Sequence, residues 1–215
     1  MTTTLLQVYN GALMILKVRR LSTTTDNRPE RLAMDDEYNK CVQAMLEEGD
    51  WNFAAKSILL EASVDVEPSF GYNYAFEKPD DFVRLISLGA DSTQWPPLQD
   101  FRDESAGANG AIWLANVDPI YVTYVSNDAN YGLERNRWPQ TFVRAVEYDL
   151  AQRIAPYITT WGADELRGLR AEAREALRNA KTKDARGQPV QYPPPGRLTL
   201  ARNGSRGMSG RRPWE

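Results

Sequence analysis

The stretch EEGDWNFAAKSILLEAS, residues 47–63, joins two kinds of sequence. Before it, apolar residues recur every three or four positions, as on one face of a helix. After it they alternate, as in a strand. A glycine, an aspartate and the aromatics Trp51 and Phe53 stand where the period changes. Aromatic side chains bury large areas, so this pair is expected to bolt a β-rich segment onto a helical body where the chain leaves it.

Upstream, Thr4 is placed to cap a first helix on which Leu5, Val8, Tyr9, Ala12, Leu13 and Leu16 share a face. The polar link STTTDNRP leads to a second helix, with Asn27 as its expected cap and Pro29 in its first turn. Met34, Tyr38, Cys41, Val42, Met45 and Leu46 give that helix an apolar stripe, and Gly49 is expected to end it in a left-handed conformation. Downstream come the short runs KSILLEASV, YNYAFE, FVRLISL, AIWLAN and PIYVTYVSN, separated by the turn-forming EPSFG, EKPDD, WPPLQD and AGANG. FVRLISL suits either a strand or a helical turn. In PIYVTYV, Ile120, Val122 and Tyr124 face one way, and Tyr121, Thr123 and Val125 the other.

Helical spacing returns at Trp138 and runs through Phe142, Val146, Leu150, Ile154, Tyr157, Ile158 and Trp161, with Pro156 expected to kink the helix near its end. After Gly162, ADELRGLRAEAREALRNAKTKDA reads as an amphipathic helix. The fold class is therefore α+β: a four-helix core of two N-terminal and two C-terminal helices, with a β-rich insertion and an extended C-terminal tail. The boundaries read as 1–53 for the first helix pair, 54–135 for the insertion, 136–185 for the second pair and 186–215 for the tail. The two helix pairs pack only if the ends of the insertion lie close together. Trp138 and Phe142 join Trp51 and Phe53 as structural anchors.

A chain of 215 residues suits one sizeable domain, with room for an insertion and a tail. Its single Cys41 excludes an intrachain disulfide framework and fits a reducing compartment or a protein that does not depend on oxidation. There is no histidine, which removes the commonest general base and the commonest metal ligand together. The apolar run near the N-terminus is too short and too polar to span a bilayer. Its basic residues follow the run, where a secretory signal would place them first. The expectation is a soluble intracellular product with no membrane contact.

Charge is unevenly shared. From Arg186 onward six arginines stand against one acid, Glu215, leaving +5, whereas the first 185 residues hold 20 basic and 28 acidic residues, leaving −8. An acidic body with a basic tail points to a tail that docks on something negative or reaches into a partner.

Signatures of catalysis are missing. The chain has no GxxxxGK[ST] phosphate loop, no GxGxxG opening a helix and no CxxC pair. SAGANGA is glycine-rich but precedes a strand-like run, so it reads as a tight hairpin or mobile loop, since a phosphate cradle needs a helix N-terminus. Asp35, Asp36 and Glu37 read as a solvated helix face, and Asp80 or Asp81 as a turn or capping residue. The plentiful Ser and Thr have no histidine to activate them. No catalytic residue, metal site or cofactor is assigned.

The last helix carries more information. Leu166, Leu169, Ala173, Ala176, Leu177 and Ala180 form one stripe at 100° per residue. Arg167, Arg170, Arg174, Arg178 and Lys181 run along one flank of it, and Glu165, Glu172 and Glu175 along the other. Like charges at spacings of three and four cost roughly 0.2–0.5 kcal/mol per pair in an isolated helix. One reading is a solvated basic face. The other is an inter-subunit contact, in which the basic flank of one copy meets the acidic flank of the next and closes into a ring. The tail also has several readings: a solubilising end, a phosphate-binding segment, or an arm inserted into a protein partner. Trp214 favours the arm, because a terminal tryptophan gains most when buried on binding. About 30 residues at about 3.3 Å each reach on the order of 100 Å.

Taken in order, the helix pair, DWNFAAKSILL, YNYAFEKPDDFVRLISL, RWPQTFVRAVEYDLAQRIAPYIT and a last helix ending NAKTKDA resemble the head-to-tail adaptors of tailed bacteriophages, and the tail tubular protein A family of short-tailed phages in particular. The resemblance spans about residues 4–185. Trp51, Phe53 and Ala54 stand at that family's W-x-F-A step from helix to β structure. Tyr74 and Ala75 precede its Pro-Asp-x-x-Arg turn at Pro79, Asp80, Phe82, Val83 and Arg84, with Asp81 as an extra residue. Trp138, Pro139, Phe142 and Ala145 match the start of its long helix, which continues through Leu150 and Ala151.

The resemblance implies a non-enzymatic role in the virion neck: a homo-oligomeric ring, typically of about twelve copies, that binds under the portal protein after packaging. Such a ring extends the channel for double-stranded DNA, helps retain the packaged genome and carries the nozzle or tail. It also implies that the C-terminal segment grips the portal, which directs attention to Arg197, Arg202, Arg206, Arg211, Arg212 and Trp214. This chain departs from the family in a longer end richer in Arg and Pro. The alternative is a nucleic-acid-binding accessory protein acting through the Arg-rich tail.

Overall fold

The computed structural model describes residues 3–105 and 110–187. Helices α1 (Leu5–Ile15) and α2 (Pro29–Glu47) are followed by strands β1 (Ala55–Leu60), β2 (Tyr74–Glu77), β3 (Phe82–Gly89), β4 (Phe101–Ser105), β5 (Ala111–Ala115) and β6 (Ile120–Ser126), then by helices α3 (Gln140–Ile158) and α4 (Ala163–Ala185). The chain is α+β, and its strands form two antiparallel three-stranded sheets, in the orders β1-β6-β3 and β2-β5-β4. The four expected helices are present, and FVRLISL is a strand.

Local chemistry sets the helix ends. Thr4 closes a capping box, with its hydroxyl accepting from the Gln7 amide at 3.3 Å and the Gln7 side chain accepting from the Thr4 amide at 2.8 Å. In α2 the cap is Arg28, not the expected Asn27. Pro29 fixes the first helical position, so the residue directly before it takes the extended cap conformation. The stripe from Met34 to Leu46 is buried at all six expected positions. The helix ends on Glu48 in right-handed backbone, and Gly49 does not adopt the left-handed conformation expected of it. Its missing side chain serves a different purpose: a Cβ there would lie 3.1 Å from the Trp51 indole.

The long helix starts at Gln140, two residues later than expected, because Trp138 closes a 3-10 turn over Arg135–Arg137 and Pro139 takes the cap position. Phe142, Val146, Leu150 and Ile154 are buried, but Tyr157 is 79% exposed. The buried stripe continues through Ile158, and Tyr157 falls outside it. Helix α3 continues two residues beyond Pro156, and the hydroxyl of Thr159 donates to the Ala155 carbonyl at 2.7 Å.

Helix α3 is central, with α1, α2 and α4 all packed on it. The sheet β1-β6-β3 lies between two apolar cores. Val125, Val83 and Ile86 join the helical core, whereas Ile120, Val122, Tyr124 and Leu88 pack against Phe76 and Trp113 of the other sheet. The alternation read in PIYVTYV therefore sends Ile120, Val122 and Tyr124 to the sheet–sheet core and Val125 to the helices. The outer face of β2-β5-β4 carries Ala75, Ile112 and Leu114 under Val66 and Tyr72 of the β1–β2 connection. The sequence reading had no counterpart for β4. FRDES has three charged residues in five and pairs along one side only, so it lacks a strand's apolar alternation.

Candidate functional site

The seam at residues 47–53 gathers the ends of several elements. Trp51 is buried and donates its indole N–H to the Met45 carbonyl at 2.8 Å, and Trp138 does the same to Gly132 at 2.8 Å. Both rings meet Phe142 edge-on, with centroids 4.8 and 5.1 Å away, and Phe53 meets it at 4.8 Å. The four anchors named from sequence thus form one cluster around Phe142, where the chain enters and leaves the β structure. Arg84 of β3 donates to Asp50 at 2.6 Å and to the Glu47 carbonyl at 3.2 Å. From the other side, Asp184 of α4 accepts from the Asn52 amide at 3.0 Å, and Lys181 reaches Glu48 at 2.6 Å. The seam therefore fixes the point from which the tail departs.

Helix α4 lies on α3 through Leu169, Ala173 and Ala180, with Leu166, Ala176 and Leu177 half-buried beside them. Arg167, Arg170, Arg174 and Arg178 are exposed on one flank, and Glu165, Glu172 and Glu175 on the other. Arg167 pairs with Asp164 at 3.1 Å. Among the described residues, Arg170, Arg174 and Arg178 have no carboxylate within ion-pair distance, and neither Glu172 nor Glu175 has a cation there. Lys181, counted with the basic flank, turns inward to Glu48.

The acidic flank borders a groove. Between α3 and α4 the lining includes Arg144, Tyr148, Glu172, Glu175, Asn179 and Lys183. Arg144 stacks over Tyr148 at 5.6 Å, and these two residues form a ridge shared with a second groove between α3 and α1. Gly11, Met14 and Ile15 of α1 form that groove's far wall, and Glu147 sits on its floor. The Glu147 carboxylate presses on Gly11 so closely that a Cβ there would lie 2.1 Å from Oε1. Burial pushes its carboxyl up to about 7, with Arg144 pulling the other way. Sequence reasoning missed Glu147, Arg144 and Tyr148, because only the crossing of α1 over α3 brings Gly11 to Glu147.

Asp81 has a structural task. It accepts from Lys56 at 2.7 Å, from the Tyr124 hydroxyl at 2.8 Å and from the Ser126 hydroxyl at 2.5 Å, tying the start of β3 to β1 and β6. Burial pushes its carboxyl up, but the bonds from Lys56, Ser126 and Tyr124 outweigh it and hold the group below the usual carboxylate range. Asp35 accepts from Tyr9 at 2.7 Å and pairs with Arg31, so it is not a bare solvated group. Cys41 is buried, and its thiol is pushed up by that burial.

Arg197, Arg202, Arg206, Arg211, Arg212 and Trp214 lie outside the described residues, as does most of the SAGANGA loop. Among the described residues no group of three or more Cys, Asp or Glu is placed to hold a metal, and no helix is long and apolar enough to cross a membrane. No protein-family model matches this chain, and no curated protein matches it in sequence.

Proposed function

We propose that this chain is the subunit of a head-to-tail adaptor of a tailed bacteriophage: a ring of about twelve copies under the portal that extends the DNA channel, helps retain the packaged genome and carries the nozzle or tail. In this reading it is a structural protein of the virion neck, not an enzyme. The observation that carries the reading is α4, which exposes arginines on one flank and glutamates on the other, with no ion pair to Arg170, Arg174, Arg178, Glu172 or Glu175 among the described residues. Opposite charges on opposite flanks of one helix suit a head-to-tail contact between copies, and repeated rotation closes such contacts into a ring. The motif order from Trp51 to Ala185 supports the same reading. A body of −8 per copy gives a lumen that repels the DNA backbone and lets DNA slide.

The test is electron microscopy of the full chain, alone and mixed with the portal protein of the same phage, beside a version ending at Ala185. A closed ring added to the portal by the full chain but not by the shortened one supports both the adaptor reading and the tail as docking arm. If neither adds a ring and the full chain binds DNA with a steep salt dependence, the nucleic-acid alternative replaces it.

A further inference from the structure

We propose that the groove between α1 and α3 is the seat for the neighbouring copy, and that Glu147 on its floor receives a guanidinium from that copy's Arg170, Arg174 or Arg178. This rests on the ring reading above and assigns the residue that completes the contact.

Three observations lead to it. First, Glu147 has no hydrogen bond and no ion pair within its own chain among the described residues, although its carboxylate lies against Gly11 in a half-buried position. Its oxygens keep some access to water, but half-burial of a carboxylate without a paired cation still carries a cost that such a cation offsets. Second, the groups around it leave that place open. Helix α1 is uncharged from Leu5 to Ile15, and its contribution here is Gly11, Met14 and Ile15. Helix α3 contributes Tyr148 and Arg144. The Arg144 guanidinium stacks over Tyr148 and acts through space on Glu147 and then Glu172, with no ion pair to either among the described residues. Third, Met14 on the groove's rim is 58% exposed, and its sulfur accepts from the Arg20 guanidinium of the same chain at 2.7 Å. The rim already carries one arginine and leaves the rest of the Met14 side chain as an apolar border for another.

The geometry also gives direction. The groove opens on the side of α3 that faces the Glu172 and Glu175 flank of α4, and Arg144 and Tyr148 border both grooves. A neighbour's row of arginines, spaced by helix turns, meets Glu172 and Glu175 along the outer groove and Glu147 at the inner one. The basic flank that supplies them lies on the opposite side of α4, so each copy offers one surface to each neighbour. Burial, which pushes Glu147 up to about 7 in the lone chain, makes it responsive to an added cation.

Self-association of the full chain at pH 8, followed by sedimentation equilibrium and native mass spectrometry, tests this. The expected result is that the wild-type chain associates and that E147Q weakens association about tenfold or more, as loss of an interfacial charge pair does. E147R, R170E, R174E and R178E are each expected to weaken it, and E147R combined with one of the three reversals to restore it. E147Q removes the charge while keeping the shape. Its thermal melt, unchanged or raised at pH 8, separates lost contact from lost fold. If E147Q associates like wild type, or no reversal rescues E147R, the seat assignment is overturned while the ring stands. If the wild-type chain stays monomeric with and without portal, the ring reading falls and this inference falls with it.

Discussion

Replacing Phe142 by alanine tests the seam more directly than any other change. Phe142 is fully buried, in the first turn of α3, and three aromatic rings stand within 5.1 Å of its centroid. A buried Phe→Ala substitution costs about 3–5 kcal/mol. Edge-on aromatic pairs add roughly 0.5–1.5 kcal/mol each beyond burial, which places this site near the top of the range, at about 5 kcal/mol. Domains of this kind are stable by about 5–15 kcal/mol, so F142A should remain folded by a narrow margin or fall to partial unfolding at room temperature. Urea denaturation followed by tryptophan fluorescence is the assay, since Trp51 and Trp138 both touch the deleted ring. With a slope of about 2 kcal/mol per molar urea, the midpoint should drop by about 2.5 M. F142L, which keeps most of the volume, should lose less than half as much. A loss under about 1.5 kcal/mol for F142A would show that the seam does not couple insertion to bundle, and the argument built on Trp51 and Phe53 would fail.

Glu147→Gln should stabilise the isolated chain in a defined pH window. The group's folded value of about 7 lies above the ordinary 4.5, so its contribution is fully present below pH 4.5 and is lost as pH rises through 7. Removing the ionisation should raise stability at pH 8 by about 1–2 kcal/mol, after allowing for screening through the open groove, and change little near pH 4; calorimetry on dilute protein checks both. Asp81→Asn runs the other way: its depressed carboxyl stabilises the fold above pH 3.8, and that contribution fades as pH falls through the lower folded value. The variant should lose about 2–3 kcal/mol at pH 7, with the gap to wild type closing in acid; a gap independent of pH would contradict the charge-assisted network. Two glycines should respond in opposite senses. Gly132→Ala sets a Cβ 2.2 Å from the Ser126 backbone oxygen and should cost about 1–3 kcal/mol. At Gly11→Ala the nearest atoms belong to the movable Glu147 carboxylate, so thermal melts should show it neutral or stabilised by up to about 1 kcal/mol.

Much of the scaffold was legible because its signals are local. A stripe at helical spacing identifies its own buried face, as in α2 from Met34 to Leu46, and an alternating strand sorts its own two sides, as in β6. The charged flanks of α4 were legible for the same reason, since the spacing of Arg170, Arg174 and Arg178 along one helix fixes the face they share. What stayed hidden depends on a second element. Gly49 reads as a helix terminator until Trp51 is seen folding back onto it. Asp81 reads as a turn residue until three donors from β1 and β6 arrive.

Glu147 is the sharpest case, and the reason reaches function. In sequence it is one polar residue beside the apolar stripe of α3, indistinguishable from Glu37 on α2. Glu37, however, finds Lys40 and Arg153 within its own chain, whereas Glu147 finds a glycine that lets it sink and, among the described residues, Arg144 acting through space. A fold under pressure for stability alone gains by replacing Glu147 with a neutral residue, since ionisation there works against folding at neutral pH. Its carboxylate becomes favourable only when a further cation reaches it, and α4 displays three arginines with no ion pair among the described residues. On the proposed seat for a neighbouring copy, stability and assembly should therefore move in opposite directions at this one position.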